Sequence, residues 1–176
     1  EASLIKGINI VPVSTLREVA DFISKGEVKP LNIKPFLEEK DYSIDFSEVK
    51  GQALGKRGLE IAAAGGHNII LIGSPGSGKS MLAKRMITIL PSMSEEEIIE
   101  STKIYSVAGE LNSKKPIINH RPFRSPHHTS SLTSIIGGGK RIKPGEISLA
   151  SNGVLLLDEL AEFPRSILES LRQPLE

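Results

Sequence analysis

The chain has 176 residues, 39% of them apolar, and its 22 Lys and Arg nearly balance 21 Asp and Glu for a net charge of +1. That length holds one α/β domain and a little more, and so even a balance points to no particular charged partner. Zero cysteines exclude disulfides and thiolate metal sites and suit a reducing cytoplasm. No apolar run approaches the roughly 20 residues that cross a membrane, and no signal-peptide pattern opens the chain, so a cytoplasmic protein with no membrane partner is expected.

Residues 8–13 read as a strand. Thr15 and Glu18 have the spacing of a capping box, which opens a helix whose Leu16, Val19, Ala20 and Ile23 share one face, with Gly26 as its C-cap. So small a strand–helix unit cannot bury its own apolar face, and residues 1–26 are assigned to the end of a separate domain. Residues 27–44 are polar, contain Pro30 and Pro35, and read as a linker. The chain starts at Glu1 without Met and stops at Glu176 soon after an expected helix, as a piece of something longer would.

The main module is placed at residues 45–176. A helix is predicted over 52–64, with Leu59, Ile61, Ala62 and Ala63 as core contacts and Gly65-Gly66 as its end. Residues 68–72 (Asn-Ile-Ile-Leu-Ile) then read as an apolar strand, residues 73–78 as a glycine-rich turn, and Lys79 to about Leu90 as a helix. Gly73, Gly78, Lys79 and Ser80 fill the pattern G-x-x-x-x-G-K-[ST] in the strand–turn–helix context it requires. Glycines 73, 76 and 78 let successive backbone N–H groups turn inward towards phosphate oxygens. The helix start adds its positive dipole end, Lys79 adds a full charge, and the Ser80 hydroxyl suits a magnesium ion. The candidate nucleotide-binding residues are therefore Gly73, Ser74, Pro75, Gly76, Ser77, Gly78, Lys79, Ser80 and Met81. A chance glycine turn is the competing reading, and the pattern in its context disfavours it.

After Pro91, Ser94 and Glu97 form another capping box, opening a helix to about Ala108 with an acidic first turn. From Thr102 to Lys143 the bases Lys103, Lys114, Lys115, Arg121, Arg124, Lys140, Arg141 and Lys143 face a single acid, Glu110. His127 and His128 are adjacent and point apart on an extended chain, so they are not expected to form a metal site. Gly137-Gly-Gly followed by Lys140, Arg141 and Lys143 describes a mobile basic loop, by composition alone a solvated surface turn. Residues 146–151 form a short helix and Asn152-Gly153 a turn.

Residues 153–157 (Gly-Val-Leu-Leu-Leu) read as a strand buried on both faces of a parallel sheet, ending in Asp158 and Glu159. Acids at such a strand end lie where ligands bind in open α/β sheets, and strand neighbours point to opposite faces. Asp158 is assigned to Mg²⁺, and Glu159 to orienting and polarising the attacking water. Pro164 starts a last helix with Ile167, Leu168 and Leu171 on one face.

Several of these stretches together resemble the bacterial magnesium-chelatase-like AAA+ ATPases. They are residues 49–52 (Val-Lys-Gly-Gln), 60–68 (Glu-Ile-Ala-Ala-Ala-Gly-Gly-His-Asn), 123–128 (Phe-Arg-Ser-Pro-His-His), 145–150 (Gly-Glu-Ile-Ser-Leu-Ala) and 153–160. Within that family the similarity is greatest to a competence-protein group. The resemblance implies a P-loop NTPase fold of AAA+ type, a three-layer αβα parallel sheet incomplete at its C-terminus, preceded by the end of a Lon-protease-like α/β domain. It implies ATP and Mg²⁺ as cofactors. Lys79 and Ser80 would be the Walker A residues, Asp158 the Walker B magnesium acid and Glu159 the catalytic glutamate. The backbone near Val49 and Gly51 would border the adenine. Lys140, Arg141 and Lys143 would lie on an insert directed into the pore of a homo-hexamer, and the partner would be DNA, remodelled by branch migration during natural transformation. The stretch ends before the family's sensor-1 strand, arginine finger and lid. A gap is thus expected between the Walker A and Walker B strands, with negligible turnover by this stretch alone. Two alternatives stay open: a motor subunit of a metal-chelatase assembly, and a nucleotide-switched scaffold without turnover.

Overall fold

The computed structural model describes residues 10–25, 42–112, 116–139 and 142–175. The expected cap at Gly26, most of the expected linker, Lys140 and Arg141 lie outside the described residues. The chain divides into two compact units, Glu1–Glu39 and Lys40–Glu176.

In the first unit, helix α1 spans Leu16–Lys25. Its capping box forms: the Glu18 carboxylate accepts from the N–H groups of Ser14 (2.6 Å) and Thr15 (3.3 Å), while Glu18 N–H donates to the Thr15 hydroxyl. None of its residues is buried, so its apolar face is uncovered among the described residues. Residues 10–13, the described part of the expected first strand, join no ladder.

The second unit begins with helix α2, Ala53–Gly65, which ends on the left-handed Gly66. Leu59, Ala62 and Ala63 are buried as expected, but Ile61 is exposed, because it falls off the stripe those three define. Helix α3 covers Lys79–Arg85 and tightens into a 3₁₀ turn at Met86–Thr88, short of the expected end at Leu90. The Thr88 hydroxyl donates to the Arg85 carbonyl at 2.8 Å in that last turn before Pro91. Helix α4, Glu95–Ala108, has the predicted capping box at Ser94 and Glu97 and ends on left-handed Gly109.

Strand β1 (Phe123–Arg124) pairs in parallel with β4 (Val154–Leu155), in the register Phe123 to Val154 and Arg124 to Leu155. Flanking bonds lengthen the contact, from Val154 N–H to Pro122 O and from Leu156 N–H to Arg124 O, both 2.8 Å. Position 153 has to be glycine, since a Cβ there would run into the Pro122 carbonyl. Between the two strands lie helix α5 (Leu132–Ile136), strands β2 (Gly137–Gly138) and β3 (Lys143–Pro144), and helix α6 (Glu146–Leu149). Helix α7 (Arg165–Ser170) follows, with Pro164 as its N-cap.

Three expectations need correction. Residues 68–72 form no ladder, and Ile70 and Ile72 are 66% and 88% exposed. A strand is a property of a pair, and no described neighbour lies alongside this run to complete one. β4 is half-buried rather than covered on both faces, because among the described residues its ladder has β1 alone as partner. The glycines and Lys143 that flank the basic residues are not all loop: Gly137–Gly138 pairs antiparallel with Lys143–Pro144, β2 with β3. The root of this hairpin is tight: a Cβ on Gly145 would collide with the backbone at Gly137, and Ile135 just before it is fully buried.

Two apolar clusters hold the unit. Val49, Leu59 and Leu82 pack with Phe46, Leu71, Met86 and Ile89, locking α2 and α3 beside the glycine-rich turn. Ile135, Phe163 and Ile167 pack with Ile147, Leu157 and Leu168, which ties the hairpin root to the turn carrying Asp158 and Glu159. Each fully buried side chain of this kind contributes roughly 1.5–3 kcal/mol.

Candidate functional site

The glycine-rich turn at residues 73–78 has the backbone its composition demands. Gly76 (φ +74°) and Gly78 (φ +84°) are left-handed, which side-chain-bearing residues adopt only at a cost. Gly78 is the N-cap of α3 and provides no side-chain cap, so the first amides of that helix have no side-chain acceptor from it. The Lys79 ammonium curls back over the turn, donating to the carbonyls of Gly73 and Ser74 at 2.9 Å each and lying 3.5 Å from the Ser77 hydroxyl. Ser74, Pro75 and Gly76 are exposed, Ser77 to Ser80 half-buried, and Met81 is exposed on the first turn of α3.

A strap formed by residues 45–52 crosses this element. Phe46 N–H donates to the Thr88 hydroxyl at 3.1 Å, and the Arg85 guanidinium donates to the Asp45 carbonyl (3.1 Å) and the Glu48 carboxylate (2.7 Å). The Arg85 bond holds the Glu48 carboxyl below the usual glutamate range. Val49 is buried in the first cluster, Gly51 is left-handed at φ +67°, and Gln52 follows at φ +56°. The Gln52 side-chain amide donates to the Ser77 carbonyl at 2.7 Å.

Asp158 and Glu159 are both exposed and lie in a turn beyond the end of β4, not on the strand. The expected alternation of strand neighbours therefore does not apply: Glu159 is left-handed (φ +55°), and its N–H donates to its neighbour's Oδ1 at 3.1 Å. His128 Nδ1 lies 3.7 Å from Glu159 Oε2. The His127 and His128 rings do not point apart as expected but lie 4.0 Å from each other, tilted by 35°, because the chain turns there; His128 meets Phe163 edge-on, and an open depression of about 440 Å³ is lined by His128, Glu159, Leu160, Ala161 and Glu162. No hydrogen bond or ion pair among the described residues joins the Asp158–Glu159 turn to the Lys79 loop. Lys143 sits exposed on β3.

Gln52 and His128 carry contacts that the sequence reading did not assign. A signal existed for Gln52, which follows a glycine and opens a helix without being a good cap residue. None existed for His128, whose partner lies far along the chain.

The model of the family described as magnesium chelatase, subunit ChlI, matches residues 45–176, the whole stretch that carries the loop, the strap and the acidic turn. The chain belongs to this magnesium chelatase family. It is 58% identical over 132 residues to "Uncharacterized protein YifB" of Escherichia coli, covering 75% of this chain and 26% of that protein. It is 46% identical over 182 residues to "Competence protein ComM" of Haemophilus influenzae, covering 100% of this chain and 35% of that protein. The chain thus spans about a third or less of the length of these relatives. The resemblance read from residues 49–52, 60–68, 123–128, 145–150 and 153–160 is that of a magnesium-chelatase-like protein of the ComM type. The mixed helices and parallel pair β1–β4 fit the family's α/β character. No helix among the described residues is long and apolar enough to cross a membrane.

Proposed function

We propose that residues 45–176 are the ATP-binding part of an AAA+ motor, with a P-loop NTPase sheet that hydrolyses ATP in the intact protein. The supporting observation is the loop itself: left-handed Gly76 and Gly78, an α3 start with no side-chain cap, and the Lys79 ammonium held at the same turn. Such a concavity of amides with one flexible cation suits the phosphates of a nucleotide. Lys79 bonds the Gly73 and Ser74 carbonyls, and exchanging these neutral acceptors for phosphate would give it stronger, charge-assisted contacts.

Magnesium fits the donor set. A hydroxyl and a carboxylate are hard oxygen donors of the kind that an ion shared with phosphates and waters takes. Ser80 and Asp158 would hold it, and it supplies neutralisation of phosphate charge. Lys79 binds the terminal phosphates and stabilises charge on them. Glu159 orients the attacking water and accepts its proton, while Val49 and Gly51 border the base.

The proposed substrate of the motor is DNA, with the ring a homo-hexamer in the cytoplasm. The similarity to "Competence protein ComM" extends over all of this chain, including residues 1–44 ahead of the family match, which favours the competence-type role. The hairpin presents Lys143 beside Lys140 and Arg141 in sequence. The family description itself supports a second reading, a motor subunit of a metal-chelatase assembly. The test is ATP turnover by the intact protein with and without branched DNA. Stimulation by DNA supports the first reading, and turnover indifferent to DNA supports the second.

A further inference from the structure

We propose that Gln52 is a positioning residue that aims the Ser77–Gly78 peptide at the nucleotide phosphates; the inference rests on the phosphate-loop reading above. The side-chain amide of Gln52 donates to the Ser77 carbonyl at 2.7 Å, across 25 residues of chain. The Ser77 carbonyl and the Gly78 N–H belong to one planar trans peptide, so they point in opposite directions. A donor that holds the carbonyl on the Gln52 side therefore turns the Gly78 N–H to the other side. Gly78 is the last residue of the turn and the N-cap of α3, so its amide is among those that face a phosphate.

Other groups could not hold this peptide as well. The Lys79 ammonium bonds the carbonyls of Gly73 and Ser74, while Ser77 N–H donates to Ser74 O at 3.2 Å, which leaves the Ser77 carbonyl to Gln52. The Gln52 amide lies in van der Waals reach of the loop, 3.8 Å from where a Cβ on Gly78 would stand, and α2 meets α3 closely at Gly55, where a Cβ would lie 3.0 Å from Leu82 Cδ1.

The backbone of Gln52 is arranged to deliver the amide. Gly51 and Gln52 are consecutive left-handed residues, and a glutamine there is disfavoured by its own Cβ. Its side chain does not cap α2. A strained side-chain-bearing residue whose functional group serves another loop is the pattern expected where position matters more than local stability. The strap is also fixed further back, by Val49 in the core and by the Arg85 and Thr88 bonds. Gln52 thus connects the segment that borders the base to the loop that takes the phosphates.

The experiment compares the intact protein with Gln52→Glu and Gln52→Gly, using ADP labelled on the ribose with a fluorophore and displacement of that probe by inorganic pyrophosphate. Gln52→Glu keeps the shape but removes the donor; Gln52→Gly removes the side chain and relieves the left-handed backbone. The expected result is a roughly three- to tenfold loss of ADP affinity in both, with the same factor for pyrophosphate. The melting temperature of nucleotide-free Gln52→Gly should be unchanged or raised, which separates positioning from structural damage. Equal affinities in all three proteins overturn the proposal alone. A loss confined to ADP and absent with pyrophosphate also overturns it, because it places Gln52 on the base side. Failure of the unmutated protein to bind ADP overturns the phosphate-loop reading and this proposal with it.

Discussion

Arg121 grips Glu97 at both carboxylate oxygens, Nη1 to Oε1 at 3.0 Å and Nη2 to Oε2 at 3.2 Å, across 24 residues of chain. The same guanidinium donates to the carbonyls of Pro91 (2.6 Å) and Asn152 (2.8 Å), with its side chain only 13% exposed. It joins the start of α4, the approach to β1 and the turn that launches β4. Arg121→Ala should therefore destabilise the second unit by about 1.5–3 kcal/mol, since it removes a bidentate contact to the half-buried Glu97 and charge-assisted bonds to two carbonyls. Denaturant unfolding measures this, and a loss below about 0.5 kcal/mol would mean the contact is a surface pair of little consequence.

The same junction predicts a pH dependence. The Glu97 carboxyl is held below the ordinary 4.5, chiefly by the Ser94 backbone N–H and then by Arg121, with burial opposing both. A lowered folded-state value contributes stability that is complete above the unfolded value and is lost as pH falls through the folded one. Stability should decline as the medium is acidified below about pH 4.5, and Glu97→Gln should flatten that decline. An acid limb identical in the variant would remove Glu97 from the account.

Much of this architecture is legible locally, and what is not legible is long-range. Ser94 and Glu97, or Thr15 and Glu18, announce their helices because both partners of each bond sit three residues apart. The glycine-rich turn is legible for the same reason: its function is written in consecutive backbone. Residues 68–72 advertise apolarity, but a ladder depends on a neighbour that no local pattern specifies. Gly137-Gly-Gly suggested mobility, whereas the fold uses Gly137 for a close approach to Gly145 and closes a hairpin there. Arg121, Gln52 and His128 find their partners 24 or more residues away, beyond the reach of spacing rules.

The acids make a paired prediction. Glu159→Gln should keep ATP affinity and nearly abolish turnover in the intact protein, because shape survives and the base does not. Asp158→Asn should instead weaken the dependence of turnover on magnesium. Steady-state hydrolysis at varied Mg²⁺ distinguishes them, and normal turnover by Glu159→Gln would take away its assigned role.

For the hairpin, replacing Lys140, Arg141 and Lys143 together by Ala should lower DNA affinity and flatten its salt dependence, with ATP binding near normal. Contacts to phosphates neutralise charge and release counterions, so each lost contact reduces the slope by about 0.9 on double-stranded DNA. The hairpin tip offers no aromatic platform, so the effect should be the same for unrelated sequences. Titrations at several salt concentrations that match the unmutated protein would reduce the hairpin to a surface turn and favour the chelatase reading.

The central claim is that the loop around Lys79 binds nucleotide phosphates, and calorimetric titration of the intact protein with ATP and Mg²⁺ tests it most directly. Charge-assisted contacts of the kind Lys79 would make are worth roughly 1.5–3 kcal/mol each, so Lys79→Ala should weaken ATP binding at least tenfold. An affinity unchanged by that substitution would contradict the assignment.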